Sequence, residues 1–589
     1  MLIYCLVLLL LSCAINLERD KAILYSRLLL LSLLNCFIIG YNITSINFIN
    51  EGIGIFGGLF TITALNSIFN LFIFFISILI VCLTSFYPRK IWIKNKVNIY
   101  KILSNKFFLY CKKILNTAQD KYYITEYSLI LLFIIIGGIF LMASSDTISL
   151  FLSIELQSYG LYILSSIYRN SESTTSAGLT YFLLGALASC FILLATGLLY
   201  ANSGCTYMDN LYIIFNISEK LNSVIQKDSL NDVYLYNSFY LHISFIILLI
   251  GFLFKVSAAP FHFWSPDVYD AVPTIVTTFI AILPKITIFI FILDLVNHSY
   301  KNLLLENYAW TSIFLVSSLL SLIIGTVLGL TQSRIKRLYA YSTISHVGFL
   351  LLALSIKSRE SIQAFLFYLI QYSIANLNAF IILLSIGYSL YIYVYKKDDK
   401  KEINELQIYN TEYSNNLNQL KSISKETNNS PVQLISQMKG FFSINPLLSL
   451  SLAITLFSFA GVPPLIGFFA KYMVLSASID NGYIFISIVA ILTSVIGGVY
   501  YLAIIKQIFF ETTDYIINPF LIDLYVPGIY KKKNNYFSQD ISFNTDNIIL
   551  SGSLTITISV LTSIIMLFIF MPTYILNVTR IIYIIIFNY

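Results

Sequence analysis

Four charged residues lie inside long apolar stretches of the sequence: Glu155, Lys255, Lys285 and Lys471. A charge at the centre of a bilayer costs about 2.5–3.5 kcal/mol on insertion scales, so it is kept there only for a partner or a function. Burial favours the neutral amine of a lysine, whereas a nearby carboxylate favours its ammonium form. Moving an acid relative to a lysine therefore changes whether the lysine holds its proton. These residue types predict proton transfer.

Depth within the apolar stretches separates these charges from ordinary lysines at a membrane surface. Lys285 stands about 14 residues into its stretch, which is about 21 Å along a helix and too far for the side chain to reach water fully. Glu155 is similarly central and is the one deeply placed acid that could pair with Lys255. Any single charge could be half of a structural ion pair. Four of them, two on interrupted segments, favour a hydrated polar path for protons.

Two histidines stand in the same apolar stretches. His346, in the run YSTISHVGFL, is in the middle of its stretch, and the near-neutral titration of imidazole suits a proton relay. A lone histidine in a membrane helix can instead be a hydrogen-bonded structural residue. We predict a relay role for His346 and a structural role for His262, which lies close to a proline.

The composition identifies the elements that must position these residues. Apolar residues make up 58% of the 589 residues, charged residues make up 11%, and the mean hydropathy is +0.80. Soluble domains carry about 25% charged residues, and stretches of about 20 apolar residues match the hydrocarbon core of a bilayer. The chain is therefore predicted to be an integral membrane protein. Its seven cysteines include no CxxC pair and its four histidines are scattered, so no metal site is predicted.

Hydropathy predicts about fourteen transmembrane helices, since the segments are too long and too uniformly apolar for barrel strands. The predicted spans are 1–16, 27–48, 60–86, 127–143, 145–168, 176–202, 239–258, 272–294, 308–330, 338–356, 362–394, 445–478, 484–510 and 549–572. Three long loops separate some of them, at 88–126, 203–238 and 395–444, and the third is predicted to be a solvated insertion. Basic residues number 26 in the segments that follow odd-numbered spans and six in the others. This asymmetry places the N-terminus opposite the cytoplasmic or matrix face.

Two of the spans are interrupted by proline. The seventh reads GFLFKVSAAPFHFWSPD, with Lys255 five residues before Pro260, and the twelfth reads FSFAGVPPLIGFFAKY, with Lys471 after a pair of prolines. Proline removes a backbone donor and breaks a helix. Corresponding broken helices five spans apart indicate two inverted repeats around a central site. Two independent proline kinks remain the alternative.

Five stretches carry the motifs of a known family: Glu155–Gly160 (ELQSYG), Gly178–Gly185 (GLTYFLLG), Lys255–Tyr269 (KVSAAPFHFWSPDVY), Lys336–Gly348 (KRLYAYSTISHVG) and Ala460–Lys471 (AGVPPLIGFFAK). Together they resemble the antiporter-like, proton-translocating subunits of respiratory complex I, the NADH:ubiquinone oxidoreductase. The resemblance covers about 127–510, most of the chain, and the joint occurrence of the five motifs is highly specific. Lys471 lies in the twelfth predicted helix. Within the family, a lysine rather than a glutamate at that position favours one type of subunit.

The resemblance implies an all-α polytopic membrane protein with two inverted five-helix repeats, in which helices 7 and 12 are broken. It divides the chain into an N-terminal three-helix segment with a basic loop (1–126), a first antiporter-like repeat (127–300), a second repeat that includes the insertion 395–444 (301–510), and a C-terminal loop with helix 14 (511–589). The insertion and the loop 203–238 depart from the family pattern, but both lie outside the motifs.

The matching motifs also imply residue roles. Glu155 and Lys255 resemble the ion pair that modulates proton transfer in the family. Lys285 resembles the connecting lysine of the eighth helix, and Lys471 resembles the terminal lysine of the exit half-channel. With His346 as a relay, these five residues form the predicted proton-translocation site.

A place in a larger assembly follows from the same resemblance. No cofactor is expected on this chain, while NADH, FMN, iron–sulfur clusters and ubiquinone are expected in other subunits of the complex. The expected partners are other membrane subunits of complex I, including neighbouring antiporter-like subunits, and membrane lipids, with no nucleic acid. The expected location is the mitochondrial inner membrane, with the N-terminus on the intermembrane-space side.

Two other functions remain open from the sequence. A subunit of a multi-subunit sodium/proton antiporter would resemble the same family, but its native complex would lack NADH-oxidising partners. A secondary transporter working alone would move a solute as an isolated chain. On the main interpretation the enzymatic activity belongs to the NADH:ubiquinone reductase complex, because this chain is expected to carry no redox site.

Overall fold

The computed structural model describes residues 2–14, 21–44, 52–85, 126–168, 171–214, 238–300, 309–356, 358–390, 393–395, 432–513, 515–517, 525–532, 535–542 and 552–587. Helices form most of it: α1 (Leu2–Ala14), α2 (Lys21–Thr44), α3 (Ala64–Ser85), α4 (Tyr127–Ala143), α5 (Thr147–Ser166), α6 (Glu172–Ser203), α7 (Ser238–Val256), α8 (Trp264–Ala271), α9 (Thr274–Tyr300), α10 (Ala309–Leu330), α11 (Ile335–Ser355), α12 (Arg359–Leu390), α13 (Pro446–Ala460), α14 (Ile466–Asp480), α15 (Ile484–Phe510), α16 (Gly552–Leu567) and α17 (Pro572–Phe587). Three two-stranded antiparallel sheets pair β1 (Ile53–Ile55) with β2 (Phe60–Ile62), β3 (Tyr393–Tyr395) with β4 (Tyr515–Ile517), and β5 (Tyr525–Lys532) with β6 (Asn535–Ser542); the second of them joins strands that are distant in sequence.

Nine helices of the described residues are long and apolar enough to cross a membrane, and the bent pair α16–α17 makes ten if it is counted as one span. Shorter apolar helices stand in four other predicted spans, at α1, α4, α7 and α13. The prediction of an all-α polytopic membrane protein is therefore confirmed. The total of about fourteen spans and the two inverted repeats stay predictions.

Three helices, α9, α11 and α12, form the interior of the bundle. α11 is buried along its whole length, and α9 and α12 are buried along almost all of theirs. By contrast, α2, α6 and α15 leave most of their surface open, and that surface carries large apolar side chains such as Leu183 and Val495. Polar side chains on the three inner helices are therefore shielded by the rest of the bundle.

α10 and α11 pack closely because each carries a glycine at the contact. A Cβ added to Gly325 on α10 would stand 2.7 Å from the backbone nitrogen of Ser345, and one added to Gly348 on α11 would stand 2.5 Å from Ser321 Oγ. Small residues allow membrane helices to approach closely, and their association rests on packing rather than on a hydrophobic driving force. These contacts fix the helix of the YSTISH motif against its neighbour.

A break separates α7 from α8. α7 ends at Val256, Ser257 has a positive φ of 65°, and α8 begins at Trp264. The indole Nε1 of Trp264 donates to the carbonyl of Phe254 at 3.0 Å. A carbonyl at the end of α7 is thereby satisfied within the protein, as a broken membrane helix requires.

A second break separates α13 from α14. α13 ends at Ala460, Gly461 adopts a positive φ of 83°, and α14 begins at Ile466. A Cβ at Gly467 would stand 1.9 Å from the carbonyl oxygen of Ser458. The two half-helices therefore touch at a position that only glycine can occupy.

The C-terminal region contains a helix that the hydropathy pattern did not predict. The span 549–572 corresponds to α16, but α17 starts at Pro572 and is bent by 91° from α16. Proline is favoured at the first position of a helix, where it has no needed backbone donor to lose. The apolar sequence runs continuously across this point and so conceals the bend.

Three long loops are predicted from the sequence, and one of them is predicted to be a solvated insertion. The long loops lie mainly outside the described residues: 88–126, 203–238 and 395–444. The prediction of a solvated insertion is wrong for its described end, 432–444, because several apolar side chains there are fully buried: Val432, Met438 and Phe441. Hydropathy averages these side chains with their polar neighbours, which hides their burial.

Lys336 precedes the predicted span 338–356 and is therefore one of the 26 basic residues assigned to loops, but it is the second residue of α11 and is fully buried. Its Nζ donates to the carbonyl oxygen of Val272, just after α8, at 2.6 Å. A backbone carbonyl that is distant in sequence therefore takes the place of water. The sequence gives no sign of this partner, because it depends on the packing of α8 against α11.

Candidate functional site

Glu155 and Lys255 form an ion pair between α5 and α7. Lys255 Nζ lies 3.8 Å from Glu155 Oε1, with 9% of the lysine side chain and 12% of the glutamate side chain exposed. The structure thus brings together the two residues that the sequence predicts to pair. At 3.8 Å the contact is electrostatic rather than a direct hydrogen bond. Glu155 Oε1 is buried and has no hydrogen-bond donor among the described residues.

Tyr162 is a hydrogen-bond partner of Lys255, whose Nζ donates to the phenol oxygen at 3.2 Å. Tyr162 follows Glu155 by seven residues, so both face the same side of α5. Gly185 on α6 makes room for the phenol, because a Cβ there would stand 2.0 Å from the Tyr162 hydroxyl oxygen. Sequence reasoning missed Tyr162, although the seven-residue spacing from Glu155 is visible in the sequence.

Lys285 lies on α9 with 2% of its surface exposed. Its Nζ donates to Thr343 Oγ1 on α11 at 3.2 Å and stands 5.8 Å from the centroid of the Tyr269 ring on α8. The ion pairs within the described part of the chain do not include Lys285. A hydroxyl oxygen and an aromatic face therefore surround this ammonium group in place of a carboxylate, which distinguishes Lys285 from Lys255.

His346 stands on α11, three residues after Thr343 and on the same face of the helix. Its Nδ1 shares a hydrogen bond of 2.7 Å with the hydroxyl of Tyr368 on α12. The other ring nitrogen, Nε2, is buried and has no partner among the described residues. Lys285 donates to Thr343, one turn before His346 on the same helix, and the Lys471 amine stands over the ring of Phe349, one turn after it. The histidine therefore lies between the contacts of two lysines, with one nitrogen hydrogen-bonded and the other without a partner among the described residues.

Lys471 on α14 reaches back across the second helix break. Its Nζ donates to the carbonyl oxygens of Phe459 at 2.9 Å and Ala460 at 3.0 Å, which are in the last turn of α13. The C-terminal end of a helix carries a partial negative charge, which a cation stabilises. The amine also stands 5.7 Å from the centroid of the Phe349 ring. Lys471 thus satisfies carbonyls that the break leaves without intrahelical donors.

The predicted site residues fall into two groups. The first is the ion pair with its tyrosine, and the second is the cluster of Lys285, His346 and Lys471. Aromatic rings lead from the first group to α8, because Tyr181 packs 4.8 Å from the Tyr162 ring and stacks at 4.8 Å on Trp264. α8 therefore lies between the two groups.

A buried amide and hydroxyl also join the helices that carry the two groups. Gln157 Nε2 donates to Thr287 Oγ1 at 3.1 Å, and the Thr287 hydroxyl lies 3.3 Å from Gln157 Oε1. Each residue is two positions after a predicted site residue, Glu155 on α5 and Lys285 on α9. Sequence reasoning missed this link, since nothing local shows that the two helices touch there.

His262 belongs to neither group. It is buried in the connection between α7 and α8, beside Phe263, and its Nδ1 has no hydrogen-bond partner among the described residues. The relay role of His346 and the structural role of His262 stay predictions. Among the described residues no group of three His, Cys, Asp or Glu side chains could hold a metal ion.

Comparison with known proteins gives one family. The family model described as NADH:quinone oxidoreductase/Mrp antiporter, transmembrane, matches residues 144–410 and 406–497. A protein named NADH-ubiquinone oxidoreductase chain 2 from Rhizopus oryzae is 42% identical over 560 residues, 95% of this chain and 94% of that one. NADH-quinone oxidoreductase subunit N from Pelagibacter ubique is 31% identical over 459 residues, 78% of each chain. A second chain 2, from Arabidopsis thaliana, is 31% identical over 394 residues, 67% of each chain.

Solved structures share the fold at lower sequence identity. A chain of respiratory complex I from Thermus thermophilus with bound aureothin has a TM-score of 0.61 and 21% identity, covering 98% of this chain and 99% of that one. A chain of the archaeal membrane-bound sulfane sulfur reductase has a TM-score of 0.69 and 18% identity, covering 99% and 95%. A chain of the Mrp complex from a Dietzia species has a TM-score of 0.66 and 14% identity, covering 100% and 96%. These likenesses show the fold alone.

Proposed function

The chain belongs to the NADH-ubiquinone oxidoreductase chain 2 family, and we propose that it translocates protons as a core membrane subunit of that oxidoreductase. Lys471 lies in the twelfth span predicted from the sequence, where a lysine favours one type of antiporter-like subunit. Chain 2 is that type. The assembly is an enzyme, a proton-translocating NADH:ubiquinone reductase, and the part of this chain is transport. The observation that carries the proposal is the ion pair of Glu155 and Lys255, 3.8 Å apart inside the bundle.

The energy of proton transport is comparable to that of a buried ion pair. One elementary charge moving through 100 mV changes its energy by about 2.3 kcal/mol, so a proton-motive force of about 180 mV requires about 4 kcal/mol per proton. Removing one partner from a buried ion pair costs about 3–5 kcal/mol. Separating Glu155 from Lys255 is therefore an event of the right size to gate the passage of one proton.

The two groups of residues suggest an order of events. When Glu155 moves away, Lys255 loses the carboxylate that favours its charged form and releases its proton towards the centre. Lys285 receives a proton in the interior of the bundle. His346 exchanges it with Lys471, because on α11 it lies one turn after the residue that Lys285 contacts and one turn before the residue whose ring faces Lys471. Lys471 then delivers the proton to the exit side.

The proposed repeats give each group a place. Residues 127–300, the first repeat, contain the ion pair and Lys285, and residues 301–510, the second, contain His346 and Lys471. Proton transfer from Lys285 to His346 would then cross from one repeat to the other. The segments 1–126 and 511–589 would flank the two repeats.

Partners and location follow from family membership. The other membrane subunits of the oxidoreductase, including neighbouring antiporter-like subunits, and membrane lipids would surround this chain. NADH, FMN, iron–sulfur clusters and ubiquinone would bind elsewhere in the assembly. The protein is a multi-pass membrane protein, and its fungal and plant relatives support the mitochondrial inner membrane as its location. The charge asymmetry of the loops favours an N-terminus on the intermembrane-space side.

Isolation of the native complex tests the proposal against the sodium/proton antiporter alternative, which the shared fold of the Mrp chain keeps in view. The complex that contains this chain is expected to oxidise NADH, reduce ubiquinone and acidify the interior of inverted proteoliposomes. Mass spectrometry of the same preparation should identify the NADH-oxidising subunits. Sodium/proton exchange by a complex without those subunits would establish the alternative.

A further inference from the structure

The N-terminal end of α11 carries three basic residues, Arg334, Lys336 and Arg337. The N-terminal end of a helix has a partial positive charge, so cations there are unfavourable and acidic residues are preferred. The helix itself supplies no acidic residue in its first turn. An outside source of negative charge must therefore compensate these three cations.

α8 supplies that compensation. Arg334 Nη1 donates to Asp270 Oδ2 at 2.6 Å, and Arg337 Nη2 lies 3.1 Å from Asp267 Oδ1. Lys336 Nζ donates to the carbonyl oxygen of Val272, the residue that follows α8, at 2.6 Å. The negative C-terminal end of α8 and its two carboxylates thus meet the positive N-terminal end of α11.

Burial separates the strong contacts from the weak one. Lys336 is fully buried. The Arg334 and Arg337 side chains are both about half-exposed, at 50% and 40%, but the Asp270 partner of Arg334 is only 12% exposed, whereas the Asp267 partner of Arg337 is 63% exposed. Exposed ion pairs contribute little, because water and salt screen them and both side chains lose freedom. The effective contacts are therefore those of Lys336 with Val272 and of Arg334 with Asp270, which we call the α8–α11 clamp.

The clamp holds a helix that touches both groups of the proton path. This helix is α8, and its first residue, Trp264, donates to the carbonyl of Phe254, the neighbour of Lys255. Further along, the Tyr269 ring faces the Lys285 amine. α11, on the other side of the clamp, provides the hydroxyl of Thr343 that accepts from Lys285.

We infer that the α8–α11 clamp positions α8 so that a change at the Glu155–Lys255 pair is passed to Lys285. The inference rests on the proposed function. Lys336, Arg334 and Asp270 are positioning residues, since none of them contacts the amines or the imidazole of the path. With the clamp intact, α8 and α11 move as one unit, so a shift at the end of α7 that reaches α8 through Trp264 displaces the Tyr269 ring and the Thr343 hydroxyl together relative to Lys285 on α9. Without the clamp, α8 follows α7 alone, and the Thr343 hydroxyl stays on Lys285.

Two variants of the complete complex test the inference: Asp270→Asn and Lys336→Met. The readouts are the amount of assembled complex, the rate of NADH oxidation, and the protons moved per electron in proteoliposomes. Assembly and NADH oxidation are expected to be normal in both variants. The number of protons moved per electron is expected to fall by at least half as much as it falls in Lys285→Ala. Exchange of the charges, Asp270→Arg together with Arg334→Asp, is expected to restore most of that loss.

A matched control is the ion pair of Lys439 and Glu511, 3.2 Å apart near the end of α15, because its members do not belong to α8 or α11. Lys439→Gln should leave protons per electron unchanged. A normal ratio in both clamp variants, or a loss of assembled complex without a change in the ratio, would overturn the inference. If Lys336→Met does not assemble, Asp270→Asn and the exchanged pair decide. A normal ratio in Lys285→Ala would instead overturn the proposed function.

Discussion

His346 and Lys471 meet at one residue, Phe459, in the last turn of α13. The imidazole lies 5.3 Å from the Phe459 ring, and the Lys471 amine donates to the carbonyl oxygen of the same residue at 2.9 Å. The imidazole, whose Nε2 has no partner among the described residues, and the Lys471 amine therefore both contact the last turn of α13, beside the second helix break. Proline and glycine end α13 at this break, so its last carbonyls are free to accept from Lys471. One of these carbonyls belongs to Phe459, the residue whose ring lies beside His346.

Replacement of Lys285 or Lys471 by alanine is expected to lower the protons moved per electron. Each change removes an amine of the proposed path, while NADH oxidation proceeds in other subunits. Assembly should be largely retained, because no carboxylate of the described residues loses an ion-pair partner in either variant. The measurement is proton uptake by proteoliposomes relative to NADH consumed. Lys506→Ala, which changes an exposed lysine of α15, is the control, and a normal ratio in both test variants would show that the relay assignment is wrong.

Glu155 and Lys255 are expected to be energetically coupled. Without its carboxylate, the Lys255 amine is a buried cation whose hydrogen-bond acceptor among the described residues is the Tyr162 hydroxyl, so it should lose its proton. Glu155→Gln should therefore impair turnover about as severely as Lys255→Met. The double variant should be little worse than either one, since effects add only for independent sites. Clean additivity in this cycle would mean that each residue has its own partner.

Alanine at Gly185 is expected to push the Tyr162 phenol away from Lys255. The added Cβ would stand 2.0 Å from the hydroxyl oxygen, and overpacking of this kind costs about 1–3 kcal/mol. Gly197 is the matched control on the same helix, because a Cβ there meets nothing within 4 Å. Thermal unfolding and protons per electron should both fall for Gly185→Ala and should be unchanged or slightly improved for Gly197→Ala. Equal behaviour of the two variants would contradict the importance of the Tyr162 contact.

The loops 88–126 and 395–444 are expected to face the matrix. They hold most of the basic residues that follow odd-numbered spans, and such residues stay on the side from which the chain inserts. Single cysteines placed in them should react with an impermeant label only after sealed mitoplasts are opened. A cysteine in the loop 203–238 should react before opening. The reverse pattern would show that the number of preceding spans is wrong.

The residues of the ion pair and the cluster could be chosen from sequence because charge inside an apolar stretch is visible without a structure. Lys336 could not, since its charge lies at the edge of such a stretch. Its burial depends on the carbonyl of Val272, which is 64 residues earlier. Tyr368 and Thr343 were missed for a different reason. Hydroxyl side chains are common in these helices, and only tertiary contacts distinguish the two that touch the path.

The fold shows the same division between local and distant information. Helices could be located because a membrane span must satisfy its own backbone and be apolar for about 20 residues. The bend before α17 and the packed end of the insertion were missed. Both arise where an apolar run changes direction or is mixed with polar residues, and hydropathy averages over such details.

The complete enclosure of α11 has a consequence for how the chain is made. This helix is less hydrophobic than α10, begins with cations and carries a histidine, yet it is buried along its whole length. On its own it would enter a membrane less readily than α10, because hydroxyl side chains and a histidine interrupt its apolar run. α10 is strongly apolar, is separated from α11 by only four residues, and meets it through Gly325 and Gly348. We therefore expect the two helices to leave the insertion machinery together as a hairpin during synthesis, with α10 covering one side of the more polar helix until the rest of the bundle packs around it.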